Sequence, residues 1–441
     1  MKHILLLLLL ITNQLFAQDT YTIQGHFPNF PNSNFELKGY EGFQQKVLLK
    51  TSSNQEGKFT LTYPANYVGV AQLYMNGAYS NLLFLNQENY TLFWQDLTKR
   101  EDMQITGSKE YEAFLQGMKT FQEAEAKLAG LNYLVPLYAA DSIKQQVFIK
   151  ELDTVNNLFS NYVKSLPENI WVRQYLLTKG LIEQMPNSVK TYPWRAPQHV
   201  TEFMAIDFKA LKHSGLLKEL VEGYTYLVER FPLEEVYPLL EQAIDKAVIE
   251  FKDNPTIQQE VAQHWFTFLE SHSLFKAAEY LALKMLNNES CTLNEKSTAL
   301  FEQYRKLAVG NTASDINLGS GTTLKKLKNK YKLVVFGASW CPNCQTDYPS
   351  LLGKYKKLKE SHNLEIVYIS IDTDKNAFDE YYKEAPFVTF CDSKGWETQA
   401  AKDYHVFATP TYILLDKELK ILSKIQSPEH LEAWLQANGK K

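Results

Sequence analysis

The 441-residue sequence has no excess of basic residues: 46 Lys and Arg stand against 50 Asp and Glu, a formal net charge of −4. The lysines sit among acids rather than in a stripe, which sets aside a nucleic-acid partner. Long hydrophobic runs are missing too. The apolar run Ile4–Ile11 falls short of the ~20 residues a membrane span needs, and no second stretch is long enough. Cysteine is scarce: Cys291, Cys341, Cys344 and Cys391 are the four present. A zinc site needs further ligands at suitable spacing, and Cys291 and Cys391 are both isolated. No arginine follows Arg305. No fixed repeat period supports a solenoid.

What is present argues for two or three domains, since 441 residues exceed one ordinary core. Aromatic residues make up 13% of the chain and are spread along it, which argues against disorder. Lys2 and His3, the run Ile4–Ile11 and the small residue Ala17 read as an export signal over 1–17, cleaved near Ala17 or Gln18. No cysteine follows the run, so no lipid anchor through an N-terminal Cys is expected. The mature chain is expected to be soluble in an oxidising extracytoplasmic space such as a periplasm, where disulfides persist.

Three patterns follow one another. Over 19–108, segments such as Tyr21–Phe27, Asn34–Tyr40, Lys58–Tyr63 and Tyr90–Trp94 alternate apolar and polar residues, predicting an antiparallel sandwich or small barrel. Over 109–310 apolar residues recur at helical spacing in Glu110–Leu128, Asp141–Lys164, Ile170–Glu183, Leu233–Phe251, Thr256–Ser271, Leu274–Asn287 and Asn294–Leu307. Pro167, Pro186, Pro193 and Pro255 are read as breaks, and the region as a helical spacer or docking domain. His264 and His272 lie there with nothing to complete a metal set. Over 313–441 the order is βαβαβαββα, an α/β sheet with helices on its faces. Its first strand, Leu333–Phe336, is apolar throughout, as a strand buried on both faces would be.

Trp340-Cys341-Pro342-Asn343-Cys344 lies between that strand and the helix Asn343–Glu360. Alone, C-x-x-C is compatible with half a zinc site, a structural disulfide or chance. At a helix start, however, unpaired N–H groups and the helix dipole favour a thiolate at Cys341. Pro342 suits a first helical position, which needs no N–H. Cys344, three residues on, shares the face and can attack a disulfide formed at Cys341. Lowering a thiol pKa from 8.5 to ~7 raises the thiolate fraction at pH 7 roughly sixteenfold. Lost nucleophilicity leaves a net gain of only about threefold, so leaving-group behaviour matters as much.

With Ala408-Thr409-Pro410-Thr411 leading into another buried strand, the last 130 or so residues resemble the thioredoxin-like family, especially its exported thiol-disulfide oxidoreductases. The N-terminal part resembles the small all-β domain that precedes some secreted members. The resemblance implies a redox-active disulfide between Cys341 (nucleophile) and Cys344 (resolving thiol), and a cis Pro410. It also implies a Thr409 backbone that bonds extended substrate. Trp340 is either an apolar substrate surface or core packing. Val335 stands where cytoplasmic members bury an Asp. Asp347 and Pro349 match the acid and proline that exported members carry after the second Cys. Asp347 is read either as a proton relay or as an exposed helix acid. Cys391 is expected to be a buried free thiol, with a Cys291–Cys391 bridge left open.

The implied function is thiol-disulfide exchange on protein substrates by a reductase recharged by an upstream dithiol donor, with no metal or organic cofactor. A thiol peroxidase would need an arginine beside the thiolate, which this region lacks. A redox-inert scaffold would have little reason to keep both sulfurs. Oxidase and isomerase chemistry are not separable from reductase by Pro342-Asn343, and substrate identity and oligomeric state have no signature.

Overall fold

The computed structural model describes residues 20–96, 99, 102–287 and 293–438. The export segment 1–17 and Cys291 lie outside the described residues. The chain divides into two compact units, Met1–Trp265 and Phe266–Lys441. Among the described residues no helix is long and apolar enough to cross a membrane.

The first unit opens with strands β1 (Thr20–His26), β2 (Asn34–Glu41), β3 (Gln44–Ser52), β4 (Lys58–Pro64), β5 (Gly69–Met75), β6 (Ala78–Leu85), β7 (Tyr90–Trp94) and β8 (Met103–Thr106). They form two four-stranded sheets, ordered β4-β1-β7-β8 and β3-β2-β5-β6. Strict alternation in β4 buries Phe59, Leu61 and Tyr63 and exposes the residues between. These side chains share one core with Ile23, Leu37, Leu73, Leu83 and Trp94. The sheets differ from the antiparallel expectation in one pairing: β1 and β7 run parallel. No hairpin joins them, so the turn rule that makes neighbours antiparallel does not apply.

Helices α1 (Lys109–Leu137), α2 (Ser142–Asn156), α3 (Leu158–Ser165), α4 (Val172–Lys190), α5 (Ala196–Ala205), α6 (Leu217–Val228), α7 (Leu233–Glu250) and α8 (Pro255–Ser271) follow, the boundary between the units falling within α8. The single segment expected over Asp141–Lys164 is two helices, and α5 and α6 were not anticipated. Pro186 does not break α4 but lies inside it. It deletes one hydrogen bond to the preceding turn, while buried Met185 and Ser188 hold the last turn down. The start of α4 is closed by the buried Glu110 carboxylate, which accepts Trp171 N–H at 3.0 Å and Val172 N–H at 2.7 Å. His264, on α8, bonds Glu222 at 2.8 Å.

The second unit contains α9 (Phe275–Leu286), α10 (Glu295–Lys306), β9 (Tyr331–Gly337), α11 (Pro342–His362), β10 (Leu364–Ser370), α12 (Lys375–Tyr381), β11 (Val388–Phe390), α13 (Gln399–Asp403), β12 (Thr411–Asp416), β13 (Ile421–Ile425) and α14 (Pro428–Asn438). This is a thioredoxin-like α/β fold. The sheet order is β11-β10-β9-β12-β13, with β9, β10 and β11 parallel and β12 antiparallel to β9. All of β9 and β10 is buried. One face packs Leu333, Val335, Tyr368 and Tyr412 against Tyr348 and Leu351 of α11 and Leu431 of α14. The opposite face packs Val334, Phe336 and Ile413 against Ala400 and Ala401, and both cysteines of the pair belong to that cluster. Residues 266–310, read from sequence with the helical region, share this unit. The Phe275 ring lies 6.3 Å from Phe407, Tyr304 donates to Glu270 at 2.5 Å, and Lys424 pairs with Glu279.

Candidate active site

The redox pair sits where β9 ends and α11 begins. Cys341 is the N-cap, with extended backbone (φ −82°, ψ 118°), and Pro342 opens the helix. The Cys341 sulfur accepts the Cys344 N–H at 3.3 Å and, as a thiol, donates to the Thr409 carbonyl at 3.4 Å. The Thr409–Pro410 peptide is cis, as the resemblance implied. The helix start and the loop before β12 therefore meet at one sulfur.

The two thiols differ in environment. Burial opposes ionisation of Cys341, but hydrogen bonds from Cys344, Thr409 and the Cys344 and Asn343 amides outweigh it, and its pKa falls below the ordinary thiol value. Cys344 is pushed up to about 12, first by burial and then by its hydrogen bond with Cys341. Exposure follows the same order but is slight: 5% for Cys341 and 2% for Cys344. Cys341 is less open than its place at a helix start suggested, because the cis-proline loop covers it. Trp340 is 55% exposed, so it is not core packing.

Asp347 lies one turn beyond Cys344 and is half-buried rather than an exposed helix acid. Its Oδ2 accepts the Tyr412 hydroxyl at 2.7 Å. Sequence reading missed that tyrosine, and it also missed Asp372. The Asp372 carboxylate, 2% exposed, accepts the Ser339 N–H and hydroxyl and the Ser370 hydroxyl. Gln345 of α11 donates to the Ser339 carbonyl at 2.6 Å. The loop ahead of Trp340 and Cys341 is thus pinned at both ends of one residue. A polar pair closing two adjacent buried strands, Ser339 after β9 and Asp372 after β10, is the signal that could have revealed it. Cys391 is a free thiol, half-buried rather than buried, and donates to the Asp372 carbonyl at 3.4 Å. Among the described residues no group of three or more His, Cys, Asp or Glu could hold a metal ion.

A thioredoxin-like family model matches residues 329–421, and one for a domain of unknown function (DUF4369) matches 21–114. Thiol-disulfide oxidoreductase ResA of Bacillus cereus is 31% identical over 145 residues, covering 31% of this chain and 82% of that protein. The chain belongs to the thioredoxin-like thiol-disulfide oxidoreductases. Tryparedoxin of Trypanosoma brucei brucei is 30% identical over 107 residues, 24% of this chain and 70% of its own. Human nucleoredoxin is 29% identical over 111 residues, and the chain spans only 25% of its length and 16% of an Arabidopsis thaliana nucleoredoxin. Among solved structures, the thioredoxin domain of a thiol-disulfide oxidoreductase from Bacteroides vulgatus is 25% identical, with 30% of this chain and 99% of that chain covered and a TM-score of 0.28.

Proposed function

We propose that the chain reduces disulfide bonds of protein substrates through Cys341 and Cys344, in an extracytoplasmic compartment such as a periplasm. The observation that carries this reading is the Cys341 sulfur, which caps α11 and faces the Thr409 carbonyl beside cis Pro410. In the first step the Cys341 thiolate attacks one sulfur of the substrate disulfide. A Cys341–substrate bond forms, the substrate S–S bond breaks, and the leaving thiolate takes a proton. In the second step Cys344 gives its proton to Asp347 and attacks Cys341. The mixed disulfide breaks, a Cys341–Cys344 disulfide forms, and the second substrate thiol departs. Two electrons pass from the dithiol to the substrate, and an upstream dithiol donor restores them.

Each group has one task. Thr409 and Pro410 line the seat for extended substrate, and Trp340 supplies an apolar surface next to the attacking sulfur. Cys344 requires a proton acceptor, because burial holds its pKa at about 12. The extracytoplasmic placement is supported by the Lys2–Ala17 pattern. The test is insulin reduction by the purified chain, with the reduction potential of the pair measured alongside. Turnover with a potential of about −270 mV is expected, whereas one of about −120 mV would make it an oxidant. No turnover in a folded preparation would refute the reading.

A further inference from the structure

The first step of this cycle is provided for by the Cys341 environment, but the second is not. Cys344 must lose a proton at 2% exposure, with little access to water. Hydrogen-bonding register sets Tyr368, Val335 and Tyr412 side by side across β10, β9 and β12, on the face that α11 covers. Val335, in the middle of that row, has no atom that accepts a proton. Asp372 is occupied, since Ser339 and Ser370 use both its oxygens. Asp347 is the carboxylate with capacity left: Tyr412 bonds Oδ2, and no described residue donates to Oδ1. Tyr412 is 3% exposed and its hydroxyl makes no other bond among the described residues, so it fixes where that carboxylate can go.

We infer that Tyr412 is the positioning residue of the resolving step: its buried hydroxyl holds Asp347 so that the open carboxylate oxygen can take the Cys344 proton. The inference rests on the dithiol reading above and assigns the pair a place in that cycle. The proton leaves the Cys344 sulfur for Asp347 Oδ1 as the Cys344–Cys341 bond forms, and the departing substrate thiolate is protonated in turn. Burial first, then the bond to Asp347 and the neighbouring Cys344 and Cys341 charges, oppose ionisation of Tyr412, so its hydroxyl stays protonated and donating. A Cys344 charge also opposes ionisation of the Tyr368, Tyr381 and Tyr382 phenols. Burial raises all three phenols, so they remain protonated and cannot serve as acceptors at neutral pH.

Stopped-flow reaction of the full-length reduced chain with 5,5′-dithiobis(2-nitrobenzoate) separates the two steps. Attack by Cys341 releases one thionitrobenzoate, and resolution by Cys344 releases the second. With Tyr412→Phe, which keeps the ring, the first release should match wild type. The second should slow by about tenfold at pH 7, the lower range for a hydrogen bond to a charged group. That gap should close as rising pH ionises Cys344 without help. Asp347→Asn tests the same pair from the half-exposed helix side and should slow only the second release. The double variant should be no slower than Asp347→Asn alone. A second release at wild-type rate in Tyr412→Phe overturns the assignment, as does equal slowing of both releases or simple additivity in the double variant. A wild type that releases one equivalent and leaves insulin intact refutes the dithiol reading as well.

Discussion

Buried carboxylates in the two units illustrate what burial does and does not signify. In the first unit Glu110 is 1% exposed and takes three donors, from Asn86, Trp171 and Val172. It closes a helix start and has a fixed hydrogen-bonding role. In the second unit Asp372 is similarly occupied by Ser339 and Ser370, while Asp347, less buried and one turn from Cys344, makes one side-chain bond among the described residues and leaves Oδ1 unused there. On the proposed reading, depth of burial ranks these acids in the wrong order for chemistry, and unused bonding capacity near a thiol is the feature that proton transfer would need.

The contrast is broken most forcefully by exchanging the effects. Asp347→Asn should slow resolution by about 100-fold, the low end for a lost general base, while melting temperature barely moves. Glu110→Ala should do the reverse. It strands the Trp171 and Val172 N–H groups, at a cost of about 3 kcal/mol, and leaves insulin reduction per folded molecule unchanged. Denaturant titration with parallel rate measurements reads both. A rate loss from Glu110→Ala at full folding would erase the distinction.

Acid should act on both units alike, through a different residue in each. Burial lowers the pKa of His199 to about 4, and burial with the Lys424 charge lowers that of His405 to about 4. A histidine whose folded value lies below its unfolded 6.5 binds its proton preferentially when unfolded. Stability from each is therefore complete above pH 6.5 and lost as pH falls toward 4, by up to about 3 kcal/mol per group. Hydrogen exchange across that window should show both units loosening, and His405→Phe should flatten the loss in the second unit only.

A smaller effect sharpens where the second unit begins. A fragment of residues 266–441 keeps the Phe275–Phe407 contact and the Glu279–Lys424 pair, which a fragment of 313–441 lacks. Both should fold, and the shorter should melt lower by about 5 °C. Equal melting temperatures would confine the unit to the α/β sheet.

Much of the second unit was legible because its signals are local. The continuous apolar run Leu333–Phe336 marks β9, and Pro342 marks a helix start. Cys341 and Cys344 are legible through a motif of fixed spacing, and Pro410 through the family resemblance. What escaped depends on distance along the chain. Tyr412 meets Asp347 from 65 residues away, and Asp372 meets Ser339 from 33, so neither pair leaves a local pattern. In the first unit α6 was missed although Leu217, Leu220, Val221, Tyr224, Leu227 and Val228 recur at helical spacing and are buried along one face, so that signal was present in the sequence. The start of α5 is hidden by Pro193, which reads as a break but leads into a helix whose first turn holds Pro197.

The division of labour between the two sulfurs is tested most directly by trapping. Full-length Cys344→Ser, expressed in an extracytoplasmic compartment and run on non-reducing gels, should accumulate covalent complexes joined through Cys341, because the nucleophile remains and its resolver is gone. Cys341→Ser should give neither complexes nor turnover. Mass spectrometry of the trapped partners would name the substrates. Complexes that form with Cys341→Ser, joined through Cys344, would contradict the assignment of the attacking thiol.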